Sequence, residues 1–306
     1  MPGDAEVRAA TELPDHPNYD VIIIGAGVSG LYQLYRLREL GLNVRVFEAG
    51  SDVGGTWHWN RYPGARFDSE SWTYGYSRFP GVLDEWNWSE HFASQPEIER
   101  YLQFVADRFD LRPNIQFGCR VTHAHFSEAL RGWRIELADG TVHNSRFLVT
   151  AIGVLSAPTL PRIDGIESFK GQACHTAQWP TEEVSFEGKR VAVIGTGSTG
   201  VQTIQEAAKT ARHLTVFQRT PNWCAPLHNA KISAPEMAEI RSRYDEIFAR
   251  CQATPGCFIH GPDPRSALEV TLEEREAFLR SATRSQVLES GTATSATSSQ
   301  IGRRTR

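Results

Sequence analysis

Two copies of one glycine-rich pattern constrain the fold of this 306-residue chain more than any other feature. The pattern is Gly-x-Gly-x-x-Gly, found at residues 25–30 and again at residues 195–200. Each copy follows a short run of β-branched residues and precedes apolar residues at helical spacing. A strand, a tight turn and a helix in this order build a Rossmann unit. The chain is therefore predicted to be an α/β protein with two Rossmann-like dinucleotide-binding domains.

The first pattern has the residues that a dinucleotide site requires. Gly25 permits the tight turn, Gly27 lets the backbone approach a pyrophosphate, and Gly30 lets helix and strand pack closely. Ser29 lies in the same turn, where the N-terminus of the helix favours phosphate. The next strand ends in Glu48, whose carboxylate can accept hydrogen bonds from both ribose hydroxyls and would repel a 2′-phosphate. This site is therefore predicted to prefer FAD or NAD over NADP.

The second pattern differs at the position that contacts the ribose. The strand that follows it ends in Arg219 and Thr220 instead of an acid. A cation and a hydroxyl suit a 2′-phosphate, because both donate hydrogen bonds to it. The second site is therefore predicted to bind NADPH through these two residues and through the turn, which consists of Gly195, Thr196, Gly197, Ser198, Thr199 and Gly200. An FAD site and an NADPH site in one chain imply a flavoprotein that is reduced by hydride.

The remaining sequence divides around these two units. The predicted segments are a disordered arm at 1–18, the N-terminal part of an FAD-binding domain at 19–158, a linker at 159–188, the N-terminal part of an NADP-binding domain at 189–280 and an aberrant tail at 281–306. Strands are predicted at 19–24, 44–47, 115–117, 132–137, 147–151, 191–194 and 214–217, with a hairpin turn at Asp139-Gly140. Helices are predicted at 31–40, 94–109, 201–208, 235–250 and 271–280, and a long functional loop at 50–80.

Composition excludes several other classes of protein. A net charge of −4 provides no basic surface for nucleic acid. The longest apolar run is too short to span a bilayer, and the first 19 residues lack the features of a signal peptide. The five cysteines are scattered, which argues against a zinc site, a redox dithiol or a disulfide framework. We expect a soluble cytoplasmic protein that binds neither metal, nucleic acid nor membrane; its oligomeric state cannot be read from the sequence.

Residues 169–180 match the pattern F-x-G-x-x-x-H-x-x-x-W-P through Phe169, Gly171, His175, Trp179 and Pro180. This pattern resembles the signature of Baeyer–Villiger monooxygenases. The segments 54–68, 151–158 and 217–226 also resemble that family, so the likeness extends over roughly residues 19–280. The chain departs from the family at Phe67, where relatives often carry cysteine.

The resemblance implies a reaction in which NADPH reduces FAD and the reduced flavin activates O2. One oxygen atom is then inserted into a ketone, which gives an ester or a lactone. By similarity, Gly55, Thr56 and Trp57 line the flavin, and Val121 lies by its adenine end.

The resemblance also implies roles for residues further along the chain. Asp68 and Tyr74 would lie near the reactive end of the flavin, and Arg66 near NADP. Asp68 and His175 are the candidate catalytic residues, and His175 would couple domain movement to catalysis. A purely structural role is an equally good interpretation of His175, and Asp68 alone is also compatible with a helix cap or a surface acid.

Three other functions compete with this one. A flavin monooxygenase acting on nitrogen or sulfur has a similar signature without the final Trp-Pro, so Trp179 and Pro180 favour the ketone oxygenase. A disulfide reductase requires a cysteine pair that the sequence lacks. A non-catalytic fragment that binds nucleotide weakly or not at all remains an alternative.

The end of the sequence differs from the family pattern. The family's essential arginine and the last strands of its FAD domain come from segments beyond the second turn, and the chain ends at Arg306 before either. Codons allowed for residues 281–306, read two nucleotides later, encode an aromatic-rich, amphipathic string that resembles the family. We therefore expect a frameshift after about residue 280, an incomplete FAD domain and an activity that is in doubt.

Overall fold

The computed structural model describes residues 18–128, 131–154, 156–222, 224, 226–260, 265–266 and 268–277. The arm predicted at 1–18 (apart from residue 18), the tail predicted at 281–306 and the last part of the helix predicted at 271–280 lie outside these residues. In the described part, strands and helices alternate as predicted, and the α/β class is confirmed. No helix among these residues is both long and apolar enough to cross a bilayer.

Strands and helices are named here in chain order. They are β1 (Tyr19–Ile24), α1 (Val28–Glu39), β2 (Val44–Phe47), α2 (Thr56–Trp59), α3 (Val82–Glu85), α4 (Gln95–Arg108), β3 (Ile115–Gln116), β4 (Val121–Ser127), β5 (Gly132–Leu137), β6 (Val142–Thr150), β7 (Arg190–Ile194), α5 (Ser198–Thr210), β8 (His213–Phe217), α6 (Ala234–Ser242) and α7 (Tyr244–Ala253). Short 3₁₀ helices lie at Ser71–Thr73, Arg112–Asn114, Ile166–Ser168 and Thr176–Gln178.

The chain separates into two compact units. The first contains the described residues up to Tyr62 together with Pro96–Ser185, and the second contains Pro63–Gln95 together with the described residues from Phe186 onward. The predicted FAD-binding domain at 19–158 is thus interrupted, because residues 63–95 join the second unit. The assignment of each unit to a cofactor remains a prediction.

The first unit is built on a six-stranded sheet with the strand order β3-β2-β1-β6-β5-β4. The first four of these strands are parallel, and β5 and β4 continue the sheet as antiparallel strands. The centre of the sheet is apolar because β1 ends in a run of four β-branched residues, of which Ile22 and Ile23 are completely buried. Leu31 and Leu34 of α1 are also fully buried.

The antiparallel part of this sheet was predicted less well. The turn at Asp139-Gly140 is confirmed, with Gly140 at a φ of 85°. The predicted strand at 147–151 begins too late, since β6 starts at Val142. The strand β4 was not predicted, because its alternation of polar and apolar side chains is confined to 123–127 and most of its residues are exposed.

The second unit contains the parallel pair β7 and β8, joined by α5. This arrangement confirms the second strand–turn–helix–strand unit. A single helix predicted at 235–250 is wrong, since α6 ends and α7 begins around Arg243. The Ser242 hydroxyl donates a hydrogen bond to the carbonyl of Glu239, and this local bond competes with continued helix. Asp245 and Glu246 then supply the acidic first turn that favours a new helix start.

Residues 63–95 form part of the second unit through backbone hydrogen bonds. The Phe67 N–H donates to Ala93 O at 3.0 Å, so the segment is folded back on itself. The His91 N–H donates to Ala230 O at 2.9 Å, which attaches the segment to residues that precede α6. This part of the predicted 50–80 loop therefore has a defined place within the second unit.

Candidate dinucleotide-binding sites

The first glycine turn leads directly into α1. Its N-cap residue is Gly27, which has no side chain to cap the helix, and its first turn contains no acid. The helix dipole favours an anion at this end. Gly25 has a φ of +102°, and a Cβ atom on it would lie 2.6 Å from Ala151 O. A Cβ atom on Gly30 would lie 1.9 Å from Gly25 O, so both positions require glycine.

The predicted flavin-lining segment lies against this turn. A Cβ atom on Gly55 would lie 2.8 Å from the Cα of Gly27, and Gly55 has a φ of +54°. The Gly54 N–H donates to Ala26 O at 3.1 Å, which ties the two loops together. Thr56 and Trp57 follow at the start of α2. Residues 28 positions apart in sequence are thus in contact, as the prediction of a common site requires.

Glu48 lies beside the same turn at the end of β2. Its side chain is buried, and Oε2 accepts a hydrogen bond from the Ala26 N–H at 2.6 Å. Oε1 accepts another from the Gly50 N–H at 2.6 Å. Each carboxylate oxygen retains a further lone pair that can accept from a ribose hydroxyl. The geometry is compatible with the predicted role of Glu48, and the same hydrogen bonds hold its carboxylate in one orientation.

His58 is a residue that sequence reasoning missed. It lies in α2, is buried, and its Nδ1 is 3.0 Å from Oε1 of Glu99 on α4. Its Nε2 is 3.4 Å from the Ser51 hydroxyl. The ring therefore connects the segment carrying Thr56 and Trp57 to two other parts of the first unit. The only sequence signal was a histidine within an otherwise aromatic, glycine-rich segment.

Val121 is at the start of β4 and is half-buried. It packs against a core cluster that includes Ile22, Phe47 and Ile135. This contact explains an apolar residue at that position, and its predicted proximity to adenine remains a prediction.

The second glycine turn repeats the geometry of the first with fewer neighbours. Gly195 has a φ of +102°, and a Cβ atom on Gly200 would lie 2.4 Å from Gly195 O. Gly197 precedes α5, and a Cβ atom on it would meet no described atom within 4 Å. The first turn of α5, which begins with Ser198 and Thr199, contains no acid. A helix N-terminus without acids favours an anion.

Thr196 in this turn is held by two side chains from the segment after β8. Gln218 Nε2 donates to the Thr196 hydroxyl at 2.9 Å. Asn222 Nδ2 donates to the Thr196 carbonyl oxygen. Arg219 and Thr220 lie between these two residues in sequence and are exposed. Sequence reasoning missed Gln218 and Asn222, because an exposed amide after a strand has no distinctive pattern.

Arg66 lies close to α5 within the second unit. Its carbonyl oxygen accepts from Gln202 Nε2 at 3.2 Å. Its guanidinium Nη1 donates to Oε2 of Glu90 at 3.2 Å and to the carbonyl of Phe92 at 3.3 Å. Gln202 is about one helical turn from the start of α5, so the prediction of Arg66 near NADP is compatible with this placement.

Asp68 and Tyr74 follow Arg66 in the second unit. Asp68 is exposed. The Tyr74 ring packs against Phe67 with 4.2 Å between ring centroids, and Phe67 is fully buried. Phe67, the residue at which this chain departs from the family, thus contributes to the position of Tyr74. The predicted approach of Asp68 and Tyr74 to a flavin remains a prediction.

His175 lies in the first unit within the 169–180 signature. It is half-buried, and its Nδ1 accepts a hydrogen bond from the Ala177 N–H at 3.1 Å. This bond caps the 3₁₀ helix Thr176–Gln178. A Cβ atom on Gly171 would lie 2.5 Å from the end of the exposed Phe169 ring, which would have to move aside. The structure shows a local structural role for His175, and its catalytic role remains a prediction.

Comparison with known families identifies the fold. The model of the flavin-binding monooxygenase-like family matches residues 18–250, which include both glycine turns and the signature. The chain belongs to this family. Baeyer–Villiger monooxygenases are among the relatives of this flavin-binding monooxygenase-like chain, so the resemblance inferred from the signature is confirmed. A phenazine N-monooxygenase is also among them.

Individual relatives align with most of the chain. A 2-oxo-Δ3-4,5,5-trimethylcyclopentenylacetyl-CoA monooxygenase from Pseudomonas putida is 49% identical over 268 residues, which cover 86% of this chain and 49% of that protein. A cyclohexanone 1,2-monooxygenase from an Acinetobacter species is 43% identical and covers 87% of this chain and 49% of that protein. A solved complex of OTEMO with FAD and NADP is 48% identical, has a TM-score of 0.84 and covers 88% of this chain and 52% of that one.

These comparisons confirm the two Rossmann-like domains of the predicted fold. The flavin-binding monooxygenase-like chain spans about half the length of the curated relatives it matches. The activity of the whole protein is accordingly a proposal.

Proposed function

We propose that this protein is an FAD-dependent, NADPH-consuming Baeyer–Villiger monooxygenase that converts a ketone into an ester or lactone with O2. One observation carries the proposal. Two helix N-termini without acids open onto glycine turns, and the following strand ends in Glu48 in the first case and in Arg219 in the second. Two turns with opposite charges beside them suit two different dinucleotides.

The residues of the first turn fit FAD. The N-terminus of α1 begins at a glycine, has no acid in its first turn and would bind the pyrophosphate. Glu48 would accept from the ribose hydroxyls, and its buried carboxylate disfavours a 2′-phosphate at this turn. Gly55, Thr56 and Trp57 would lie along the flavin, since Gly55 already contacts Gly27.

The residues of the second turn fit NADPH. The open space around Gly197 admits a pyrophosphate to the start of α5. Arg219 and Thr220 would donate to the 2′-phosphate. Arg66, whose carbonyl accepts from Gln202 of α5 and whose guanidinium pairs with Glu90, would lie near the dinucleotide. NADPH would therefore bind in preference to NADH.

Bound FAD supplies the electrons that activate O2 for insertion of one oxygen atom beside the ketone carbonyl. The chain binds and orients both cofactors, and α2 and its buried contact through His58 keep the flavin segment in place. Asp68 and Tyr74 would orient groups near the flavin, and His175 would order the signature loop through its bond to Ala177. We propose ketones as the substrate class, because the names of relatives include ketone monooxygenases.

Purified chain tests this proposal directly. FAD should copurify, and adding NADPH should bleach its absorption. Adding cyclohexanone or another ketone with isotopically labelled O2 should yield a labelled ester or lactone. A chain that binds FAD and NADPH but forms no ester from any ketone of a broad panel would contradict a Baeyer–Villiger activity.

A second candidate function is oxygenation of nitrogen. It is favoured by a relative from Lysobacter antibioticus that is a phenazine N-monooxygenase. The same labelled assay with an aromatic nitrogen heterocycle should yield an N-oxide if this candidate is right. Trp179 and Pro180 of the signature favour the ketone reaction.

A cytoplasmic location is part of the proposal. It is supported by the five cysteines, which are free thiols in the structure. Free cysteines are typical of proteins in reducing compartments.

A further inference from the structure

The second glycine turn has little steric support. A Cβ atom on Gly197 would meet no described atom within 4 Å, and the same holds for Gly195, whose φ is +102°. The first turn is confined, in contrast, because Gly25 lies against Ala151 and Gly27 against Gly55. Glycine residues without such contacts have wide conformational freedom. Something other than packing must therefore keep the second turn in the shape that binds a pyrophosphate.

Hydrogen bonds from a single segment supply this restraint. The Gly195 N–H donates to the carbonyl of Phe217, the last residue of β8, at 2.8 Å. Gln218 donates to the Thr196 hydroxyl, and Asn222 donates to the Thr196 carbonyl. The hydroxyl and the carbonyl oxygen of Thr196 are thus both hydrogen-bonded to residues that follow β8.

Arg219 lies between the two amide residues in sequence. Its neighbour Gln218 is fixed to the turn on one side, and Asn222 is fixed to it three residues further on. Pro221, between them, has a restricted φ and stiffens the segment. The turn that faces the pyrophosphate and the segment that carries Arg219 are therefore joined into one piece.

We propose that Gln218 and Asn222 are positioning residues that fix the second turn and Arg219 relative to each other, so that NADP(H) engages both together. This inference rests on the proposed function, since it takes the second turn as the NADPH site. Replacing the side-chain amide of Gln218 or of Asn222 weakens binding of the whole dinucleotide and reduces the preference for NADP⁺ over NAD⁺.

The decisive variants change hydrogen bonding without changing size. Asn222→Asp replaces the donor by a carboxylate oxygen facing the Thr196 carbonyl, so two acceptors repel each other. Asn222→Leu and Gln218→Leu remove the donors without adding charge. We expect about a fivefold rise in the Kd of NADP⁺ for each leucine variant and at least about tenfold for Asn222→Asp. The ratio of the Kd of NAD⁺ to that of NADP⁺ should fall in all three.

Asn18→Asp is the matched control. It makes the same change of charge in the first unit, where the Asn18 Oδ1 accepts from the Asn144 N–H and keeps its bond as a carboxylate. Its Kd values should equal those of the unmodified chain. FAD content and circular dichroism should be the same in all variants that fold.

Amide hydrogen exchange separates this inference from the proposed function. In the Asn222 and Gln218 variants without nucleotide, residues 195–200 should exchange faster than in the unmodified chain, while residues 25–30 are unchanged. If the unmodified chain binds no NADP⁺, the proposed function is overturned. The exchange rates would still test whether Gln218 and Asn222 restrain the second turn. Equal exchange, or equal nucleotide affinity and selectivity in a chain that binds NADP⁺, would overturn the inference itself.

Discussion

Single buried side chains fix the backbone of the segment that lies against the first glycine turn. His58 is the clearest case, because one imidazole contacts Glu99 through Nδ1 and Ser51 through Nε2. A buried polar ring with partners on both nitrogens fixes the backbone that carries it. That backbone also carries Thr56 and Trp57.

His58→Leu should weaken FAD binding while the chain still folds. The leucine fills a similar volume but leaves Glu99 without this contact, so α2 loses its attachment to α4. We expect roughly a tenfold rise in the Kd of FAD, in line with the loss of a buried hydrogen bond to a charged group. Titration of the apoprotein, followed by flavin fluorescence, measures this. His213→Leu, an exposed position in β8, is the control, and equal FAD affinity in both variants would refute the role of His58.

Gly55→Ala should abolish FAD binding through a clash with the first turn. The new Cβ atom would lie 2.8 Å from the Gly27 Cα, and the φ of +54° adds strain. Gly118→Ala has a similar φ of +66°, but no atom of the described residues lies within 4 Å of its Cβ position. Comparing the two separates the clash from the strain, since the control should lose only about 1 kcal/mol of stability. FAD retention on gel filtration gives the result, and retention by Gly55→Ala would show that the loops do not need this contact.

Helices and strands show which parts of the structure were predictable. The glycine turns and the residues after β2 and β8 were predicted because their patterns are local in sequence. The strand β4 was missed because most of its residues are exposed and its alternation is short. The break at Arg243 was missed because a serine bond to Glu239 leaves no strong sequence signal. His58 was missed because its partner Glu99 is 41 residues away. The place of residues 63–95 likewise depends on long-range backbone pairs.

The helix α7 begins with Tyr244, which is buried and stacks on Phe248 at 5.7 Å between ring centroids. Burial raises the pKa of Tyr244 from 10.0 to about 12. Below pH 10 the phenol is neutral in the folded and the unfolded chain, so its contribution to stability is complete. Between pH 10 and 12 the unfolded chain loses the proton first, so stability falls.

Tyr244→Phe should remove this loss of stability at high pH. The difference of about two pKa units corresponds to about 2–3 kcal/mol, lost between pH 10 and 12 in the unmodified chain. Urea unfolding at a series of pH values measures it. Tyr32→Phe in α1 controls for the removal of a tyrosine. Identical pH dependence in unmodified chain and Tyr244→Phe would show that Tyr244 ionises as freely in the folded state as in the unfolded one.

At the scale of the whole molecule, the two units have separate ligands in the proposed function. A ligand that binds only the folded state stabilises it by RT ln(1 + [L]/Kd), about 2.7 kcal/mol at a concentration of one hundred times Kd. Each cofactor should therefore stabilise the unit that contains its glycine turn against unfolding. A substitution at one turn should remove the stabilisation by one cofactor and leave that by the other.

Arg219→Ala and Glu48→Ala should each remove the stabilisation by a different cofactor. The first removes the cation for the 2′-phosphate, so the thermal midpoint should rise with FAD but no longer with NADP⁺. The second removes the ribose acceptor, so the response to NADP⁺ should remain and that to FAD should be lost. Differential scanning calorimetry with each ligand measures both. Loss of both responses in either variant would indicate that the substitution unfolds the chain instead of altering one site.

The bond from the Ala177 N–H to His175 Nδ1 fixes which tautomer the imidazole adopts. Because Nδ1 is the acceptor, the neutral ring must carry its hydrogen on Nε2. An imidazolium has hydrogen on both nitrogens, so it would place two donors face to face and release the turn that follows. The lone pair of Nδ1 is thus engaged by the backbone, and a proton can reach this nitrogen only if the hydrogen bond to Ala177 breaks. Nitrogen-15 NMR of the ring would distinguish the two tautomers, and the 3₁₀ helix at Thr176–Gln178 should loosen whenever the ring becomes charged.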